Sequence, residues 1–248
     1  MELTLSSVGG IPEVMPGADL GTLVATALPE DLAGTDVVLI AQKVVSKAEG
    51  RSVALDTVTA GDEARELAAG SGHDPRLVQL ILDETEQLIR SQRGVLICRT
   101  HHGFVCANAG VDQSNVDDDH ALLLPVDPDG SARSLRARIA EVRGVAPAVV
   151  ITDSFGRAWR IGQVDVAIGA AGLLPEDDWR GRADSRGREL AATQIAVADS
   201  LAAAADLARA KDGAEPVVLA RGLGRFVTAE DGPGAAALRR PPAEDLFL

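Results

Sequence analysis

The sequence contains no tyrosine, and aromatic residues make up only 2% of its 248 positions. That scarcity removes the stacking platform of a nucleic-acid binder. The charge balance removes its electrostatic footprint, since 24 Lys and Arg stand against 37 Asp and Glu, a formal net charge of −13. Any anionic ligand must therefore be met by a local group of Lys, Arg, metal ion or backbone N–H. Cysteine is equally sparse, and two in so long a chain do not make a disulfide framework. Cys98 and Cys106 flank an expected hairpin turn at His101-His102-Gly103, and they read as reduced, half-buried thiols. No apolar run is long enough to span a bilayer, and no charged-then-apolar leader opens the chain. The expectation is a soluble, cytoplasmic protein with neither a membrane nor a nucleic-acid partner. Two familiar ligand-binding signatures are also missing. There is no G-x-x-x-x-G-K-S/T loop, and Asp127-Pro128-Asp129-Gly130 lacks the spaced ligands and closing Glu of a calcium loop.

The hydrophobic content of 46% is ordinary for a folded chain of this length, which can bury one large core or the cores of two intimate subdomains. The local patterns interleave helices with strands, an α+β composition. Ile11-Pro12-Glu13-Val14 lies between Gly9-Gly10 and Pro16-Gly17 and reads as extended. Asp19 caps a helix with apolar residues at Leu20, Leu23, Val24, Ala27 and Leu28. Asp36 opens a buried strand over 37–41. Residues 59–93 read as two helices, the second starting at Asp74-Pro75 and carrying Leu77, Val78, Leu80, Ile81, Leu88 and Ile89. Strands at 95–98 and 104–107 form a hairpin whose His101-His102 tip reads as exposed imidazoles, since no acidic or Cys ligand stands at metal spacing. A helix with Leu135, Ile139 and Val142 ends near Gly144, its Arg133, Arg136, Arg138 and Arg143 mostly on a solvated face. Residues 163–172 read as a strand and tight turn, 179–188 as a polar loop, 189–211 as one Ala-rich helix, and 216–222 as a final strand. No internal repeat or low-complexity linker divides the chain.

The most informative stretch is Gly103 to Asp119, where a short apolar run stops at Asn108 and Asp112, Gln113, Ser114 and Asn115 follow. A second segment, Ala148 to Arg157, repeats the design and reaches Asp153 and Ser154. Two strand-end aspartates brought together by the fold would suit a hard divalent cation bound to nucleotide phosphates, which takes one or two protein carboxylates. The competing reading makes both of them turn or helix caps. Lys43 and Lys47, four apart beyond the strand at 37–41, read either as a phosphate contact or as surface lysines. Arg157 and Arg160 lie near Asp153 and Trp159 and offer the guanidinium suited to carboxylate or phosphate. No nucleophile–base–acid set is visible.

Five segments, in order along nearly the whole chain, carry a family resemblance. They are I-P-E-V at 11–14, Q-K-V-V-S-K-A-E-G-R at 42–51, A-G-V-D-Q-S-N-V at 109–116, T-D-S-F-G-R-A-W-R-I-G-Q at 152–163 and P-V-V-L-A-R-G at 216–222. Together they resemble the GTP-dependent coenzyme F-420 L-glutamate ligases, most closely the amino-terminal half of the actinobacterial two-domain form. The resemblance implies an α+β fold of mixed sheets in two tightly joined subdomains, and an intertwined homodimer. It implies that Asp112, Asp153 and Ser154 hold Mg2+ or Mn2+, and that Ile11, Pro12, Glu13, Val14, Gln42, Lys47 and Asn115 meet GTP. Arg157 and Arg160 are then substrate or phosphate contacts. The implied reaction adds L-glutamate to a deazaflavin precursor, and then further γ-linked glutamate, through an acyl phosphate with release of GDP and phosphate. Two departures stand out. The chain stops at Asp245-Leu246-Phe247-Leu248, so no carboxy-terminal flavin domain is expected; and Arg209-Ala210-Lys211 replaces the Met-Gly-Gln segment with which archaeal members reach the nucleotide and metal, so a Gln metal ligand is missing and the role of Lys211 is open. The alternatives are a metal-dependent phosphotransferase or phosphohydrolase that makes no amide, and a non-catalytic nucleotide-binding module.

Overall fold

The computed structural model describes residues 2–116, 118–210 and 213–245. Asp117 of the acidic run, Lys211, and Leu246, Phe247 and Leu248 at the end of the chain lie outside the described residues. In chain order the first elements are β1 (Thr4–Val8), α1 (Leu20–Ala27), β2 (Val37–Ala41), α2 (Gln42–Ala48), β3 (Ser52–Ala54), α3 (Asp62–Ser71) and α4 (Pro75–Asp83). They are followed by β4 (Thr85–Gln92), β5 (Val95–Thr100), β6 (Val105–Ala107), β7 (His120–Leu122), α5 (Pro128–Arg143), β8 (Ala148–Arg157) and β9 (Arg160–Ala171). The last are β10 (Glu176–Asp178), β11 (Gln194–Ala196), α6 (Val197–Ala208) and β12 (Val217–Arg221). Among the described residues no helix is long and apolar enough to cross a membrane.

The main sheet has the order β1-β12-β2-β8-β9. β2 and β8 run parallel, from Val37 opposite Ala148 to Ala41 opposite Thr152, and the other pairings in this sheet are antiparallel. Residues 37–40 and 148–151 are unbroken apolar runs because both faces of these central strands are covered. Val38, Ile40, Val149 and Ile151 pack with Val24 and Leu28 and with Leu135 and Ile139 of α5. On the other face Val37, Leu39, Val150 and Val218 meet Ala198, Leu201 and Ala205 of α6. Each fully buried Leu, Ile or Val contributes roughly 1.5–3 kcal/mol. A third cluster joins Val78, Ile81, Leu96, Cys98 and Leu123 beneath the sheet β4-β5-β6. The fold is α+β, as the local patterns indicate.

Start signals work as the side chains dictate. Asp19 Oδ1 accepts from the Thr22 N–H, Asp74 Oδ1 from Arg76, and Asp127 Oδ1 from Gly130; the last two precede a proline at the first helical position. Gly72 and Gly144 end their helices in the left-handed conformation. Gly169 marks a close approach in the core, since a Cβ there would collide with the Pro128 carbonyl at the start of α5.

Several expectations need correction. Leu88 and Ile89 do not extend the second helix, which stops at Asp83; residues 85–92 pair antiparallel with β5, with two irregularities in register. Strand pairing there overrides a helical spacing of apolar residues. The Ala-rich helix begins at Val197 rather than Glu189, because Gln194 to Ala196 pair with β10. Two of the four arginines on α5 bond to other parts of the chain, one buried and one half-buried. Arg136 is buried and donates to the carbonyls of Pro147, Thr228 and Ala229 and to Asp231. Arg143 donates to the carbonyls of Ala25, Leu28 and Pro29, closing the end of α1. Cys98 and Cys106 face each other across β5 and β6 as free thiols, but both are buried rather than half-buried. Burial pushes the Cys98 thiol up and that of Cys106 up to about 12.

Candidate active site

The carboxyl ends of parallel neighbours β2 and β8 open into one cleft of about 1240 Å3. This is where open α/β sheets usually take their ligands. Its walls come from residues 11–16, from the start of α2, from the loop after β6, from the β8–β9 hairpin, and from Arg209, Ala210, Ala214, Glu215 and Pro216 beyond α6. Because α2 packs on one face of the sheet and α6 on the other, the cleft wraps around the strand ends.

On the α2 side, the Lys43 ammonium lies 2.5 Å from Asp112 Oδ2 and also donates to the Ser114 hydroxyl. The Ser114 N–H and hydroxyl both donate to the Asp112 carboxylate, at 2.8 and 2.9 Å. Burial works to raise the Asp112 carboxyl, but its bonds from Lys43 and Ser114 outweigh this and hold it below the usual range. Lys47, one helical turn on, lies 2.5 Å from Glu13 Oε1 and so ties α2 to the extended segment. Gln42 is buried, its amide donating to Ser46 Oγ and to the Leu123 carbonyl. Asp112 is delivered by a turn in which Asn108, Ala109 and Gly110 all have positive φ, of 52, 50 and 74°. Only glycine adopts that conformation without strain, and Ala109 is buried in it. A side chain at Gly110 would strike Leu124 at 2.8 Å. Asn115, also left-handed with φ 57°, completes this wall.

β8 does not end at Asp153 but continues to Arg157, correcting the strand-end reading. Its register with β9 slips between Ile151 and Thr152, so that Ile168 is the extra residue on the partner strand. Such bulges re-aim side chains next to sites. Thr152 and Ser154, two apart and therefore on one face, both donate to the buried Asp165, at 2.9 and 2.6 Å. Asp165 also accepts from Arg209 Nη1 at 3.0 Å. Asp153, between them, is pushed up to about 7, by burial first and then by the charges of Asp165 and Asp112.

The sequence-marked residues Ile11, Pro12, Glu13, Val14, Gln42, Lys47, Asp112, Asn115, Asp153 and Ser154 all line this single cleft. Arg157 and Arg160 do not. They stand exposed at the hairpin tip, and the Arg157 guanidinium turns back to the carbonyls of Ile161 and Gly162. Sequence reasoning missed Asp165 and Arg209. Asp165 had a faint signal, a polar residue in an otherwise apolar strand opposite Thr152-Asp153-Ser154; Arg209 had none beyond its departure from the archaeal segment. His101 is exposed as expected, while His102 bonds the Pro125 carbonyl and stacks on Phe104. Among the described residues no three His, Cys, Asp or Glu side chains are grouped to hold a metal ion.

A family model described as "F420-0:Gamma-glutamyl ligase" matches residues 10–222. The chain is 44% identical over 251 residues to a "Coenzyme F420:L-glutamate ligase" of Methanothermobacter thermautotrophicus, covering 100% of this chain and 99% of that protein. It is 44% identical over 237 residues to the protein of the same description from Methanopyrus kandleri, covering 95% of this chain and 93% of that one. A Haloarcula marismortui protein, again so described, is 40% identical over 247 residues, covering 97% and 93%. With the cleft assembled from the same segments that carry the resemblance, and full-length relatives at this identity, the chain belongs to the F420-0:Gamma-glutamyl ligase family.

Proposed function

We propose that the protein joins L-glutamate to the carboxylate of a deazaflavin coenzyme precursor, using GTP and a divalent cation. The observation that carries this reading is the convergence in one cleft of ten marked residues drawn from four distant stretches of chain. The names of the relatives supply the coenzyme and the amino acid. GTP, the cation and the acyl phosphate are our extension of them.

The residues fit such a cation. Asp112, Asp153 and Asp165 place three carboxylates in the cleft, and Asp153 is raised by burial first and then by the charges of Asp165 and Asp112. A hard cation bound to phosphates takes one or two protein carboxylates and fills its shell with phosphate oxygen and water. Two carboxylates are what Asp112 and Asp153 offer, so no larger protein cluster is needed; the Ser154 hydroxyl, on the other face of β8, is taken up by Asp165. When bound, Mg2+ or Mn2+ supplies neutralisation of phosphate charge.

The chain's own residues then position and compensate charge, the main demands of phosphoryl transfer. Lys47, held by Glu13, and Lys43, held by Asp112, bring two ammonium groups to the wall where Ile11 to Val14 and Asn115 would flank the nucleotide. Transfer of the γ-phosphoryl group to the acceptor carboxylate breaks the P–O bond to GDP and makes an acyl phosphate. The glutamate amine attacks the acyl carbon, an amide forms, phosphate leaves, and the amine gives up its proton. No protein nucleophile is required, which accounts for a cleft of Asp, Lys, Arg and Asn. Arg157 and Arg160, at the hairpin tip, have no part in this reading.

The test is mass spectrometry of the deazaflavin acceptor after incubation with protein, GTP, metal and glutamate. Addition of one glutamyl residue per GDP released is expected. GDP release without glutamate, leaving the acceptor unchanged, would make the protein a phosphohydrolase instead.

A further inference from the structure

Arg209 lines the cleft and carries a bidentate edge that no group among the described residues fills. Its side chain is only 10% exposed, yet the residue lines the cleft wall. Nη1 is fixed, donating to Asp165 Oδ2 at 3.0 Å and to Thr152 Oγ1 at 3.3 Å. Nε and Nη2 are buried and have no hydrogen-bond partner among the described residues. These two atoms carry the parallel N–H pair that grips a carboxylate by both oxygens. Elsewhere in this protein the same edge does so: Arg76 Nε and Nη2 hold Asp74 at 2.6 to 3.1 Å, and Arg180 Nε and Nη2 hold Asp178 at 2.7 to 3.1 Å. Buried donors without partners are unfavourable, so their persistence at a cleft wall marks a place for a ligand oxygen pair.

We infer that Arg209 is a specificity residue whose Nε–Nη2 edge receives a carboxylate of the incoming glutamate, an assignment that rests on the ligase reading above. The side of the cleft supports glutamate. Lys43 and Lys47 stand on the α2 wall, whereas Arg209 stands beyond α6 on the other face of the sheet. The chemistry supports it too. A carboxylate clamped through both oxygens is a poor nucleophile, so the clamp suits a carboxylate that does not react. Glutamate brings two such groups, while the acceptor's carboxylate must be phosphorylated. Asp165 and Thr152 hold the guanidinium plane in place, so the edge is oriented before the ligand arrives.

The test compares wild type with Arg209→Lys, which keeps a positive charge beside Asp165 and deletes the two-donor edge. Binding is measured by calorimetry on protein holding a non-hydrolysable GTP analogue and Mg2+, titrated with L-glutamate and, separately, with the deazaflavin acceptor. Glutamate should bind on the order of tenfold or more weakly to the variant, with affinities for the nucleotide analogue and the acceptor unchanged. The preference of the wild type for glutamate over its two monoamides should shrink for whichever carboxylate is clamped. Should Arg209→Lys prove unstable, the neutral pair Arg209→Gln with Asp165→Asn removes the edge without stranding a buried charge. Unchanged glutamate affinity would reduce Arg209 to a structural ion pair. A loss that falls on the nucleotide analogue or the acceptor would overturn the assignment to glutamate. Absence of glutamate-dependent product from wild type would sink the ligase reading, while the glutamate titration would still judge the clamp.

Discussion

Replacing Asp153 by Asn should trade activity for stability, and the structure gives both sides of the exchange. Burial, with the charges of Asp165 and Asp112, pushes Asp153 up to about 7 from an ordinary 3.8, a difference on the order of 4 kcal/mol between its charged and neutral forms. The sign follows from burial. A carboxyl raised in the folded state favours folding fully below its unfolded value, and this contribution disappears as pH climbs through 3.8 towards about 7. A neutral amide in its place would carry no such penalty, so in chelator the variant should gain on wild type as pH rises to about 8, by roughly 2–4 °C in Tm per kcal/mol recovered. Activity should move the other way. Loss of one charge from a phosphoryl-transfer site is expected to lower turnover on the order of a hundredfold or more. If Asp112 and Asp153 serve one cation, the Asp112→Asn, Asp153→Asn double variant should be scarcely worse than either single one, and extra Mg2+ or Mn2+ should partly rescue the singles. GDP release against metal concentration for the four proteins, beside pH-resolved thermal melts, checks this. Multiplicative activity losses without metal rescue would refute the shared site. A Tm difference independent of pH would refute the burial argument.

Other outcomes follow from single contacts. Lys47→Ala should weaken GTP binding on the order of tenfold or more while leaving glutamate use little changed; equal GTP affinity by fluorescence titration would return Lys47 to the Glu13 ion pair alone. Gly169→Ala should cost about 1–3 kcal/mol in denaturant unfolding, because its methyl meets the Pro128 carbonyl. Cys98 and Cys106 should resist iodoacetamide near pH 8 in the native protein and react fully in urea, since burial raises both thiols; fast native labelling would contradict their placement in the β5–β6 pair. Light scattering should give about twice the 25.7 kDa chain mass, with the exposed Trp159 and Ile161 of the hairpin tip as a surface a second copy would cover; a monomer mass at micromolar concentration would count against a homodimer.

The parts of this protein legible in its sequence are those where local chemistry and tertiary structure agree. Val37 to Ala41 and Ala148 to Ile151 announce central strands because both of their faces are buried, and Asp74-Pro75 announces a helix because the cap and the proline act within one turn. Where a distant partner decides, the local signal misleads. Leu88 and Ile89 keep a helical spacing but are claimed by β5, and Arg136 looks like a surface residue until Asp231, 95 residues away, accepts its hydrogen bond. The cleft divides along the same line. Asp112, Asp153 and Lys47 stand beside apolar runs that can be read in place, although the strand at Asp153 does not end there. Asp165 and Arg209 acquire meaning only through a hairpin register with a one-residue slip and a pairing across 44 positions. A shift of that register by one residue would turn Thr152 and Ser154 away from Asp165. The guanidinium of Arg209 would then lose the anchor that orients its free edge, so the bulge at Ile151 and Thr152 governs the α6 side of the cleft as firmly as any residue that lines it.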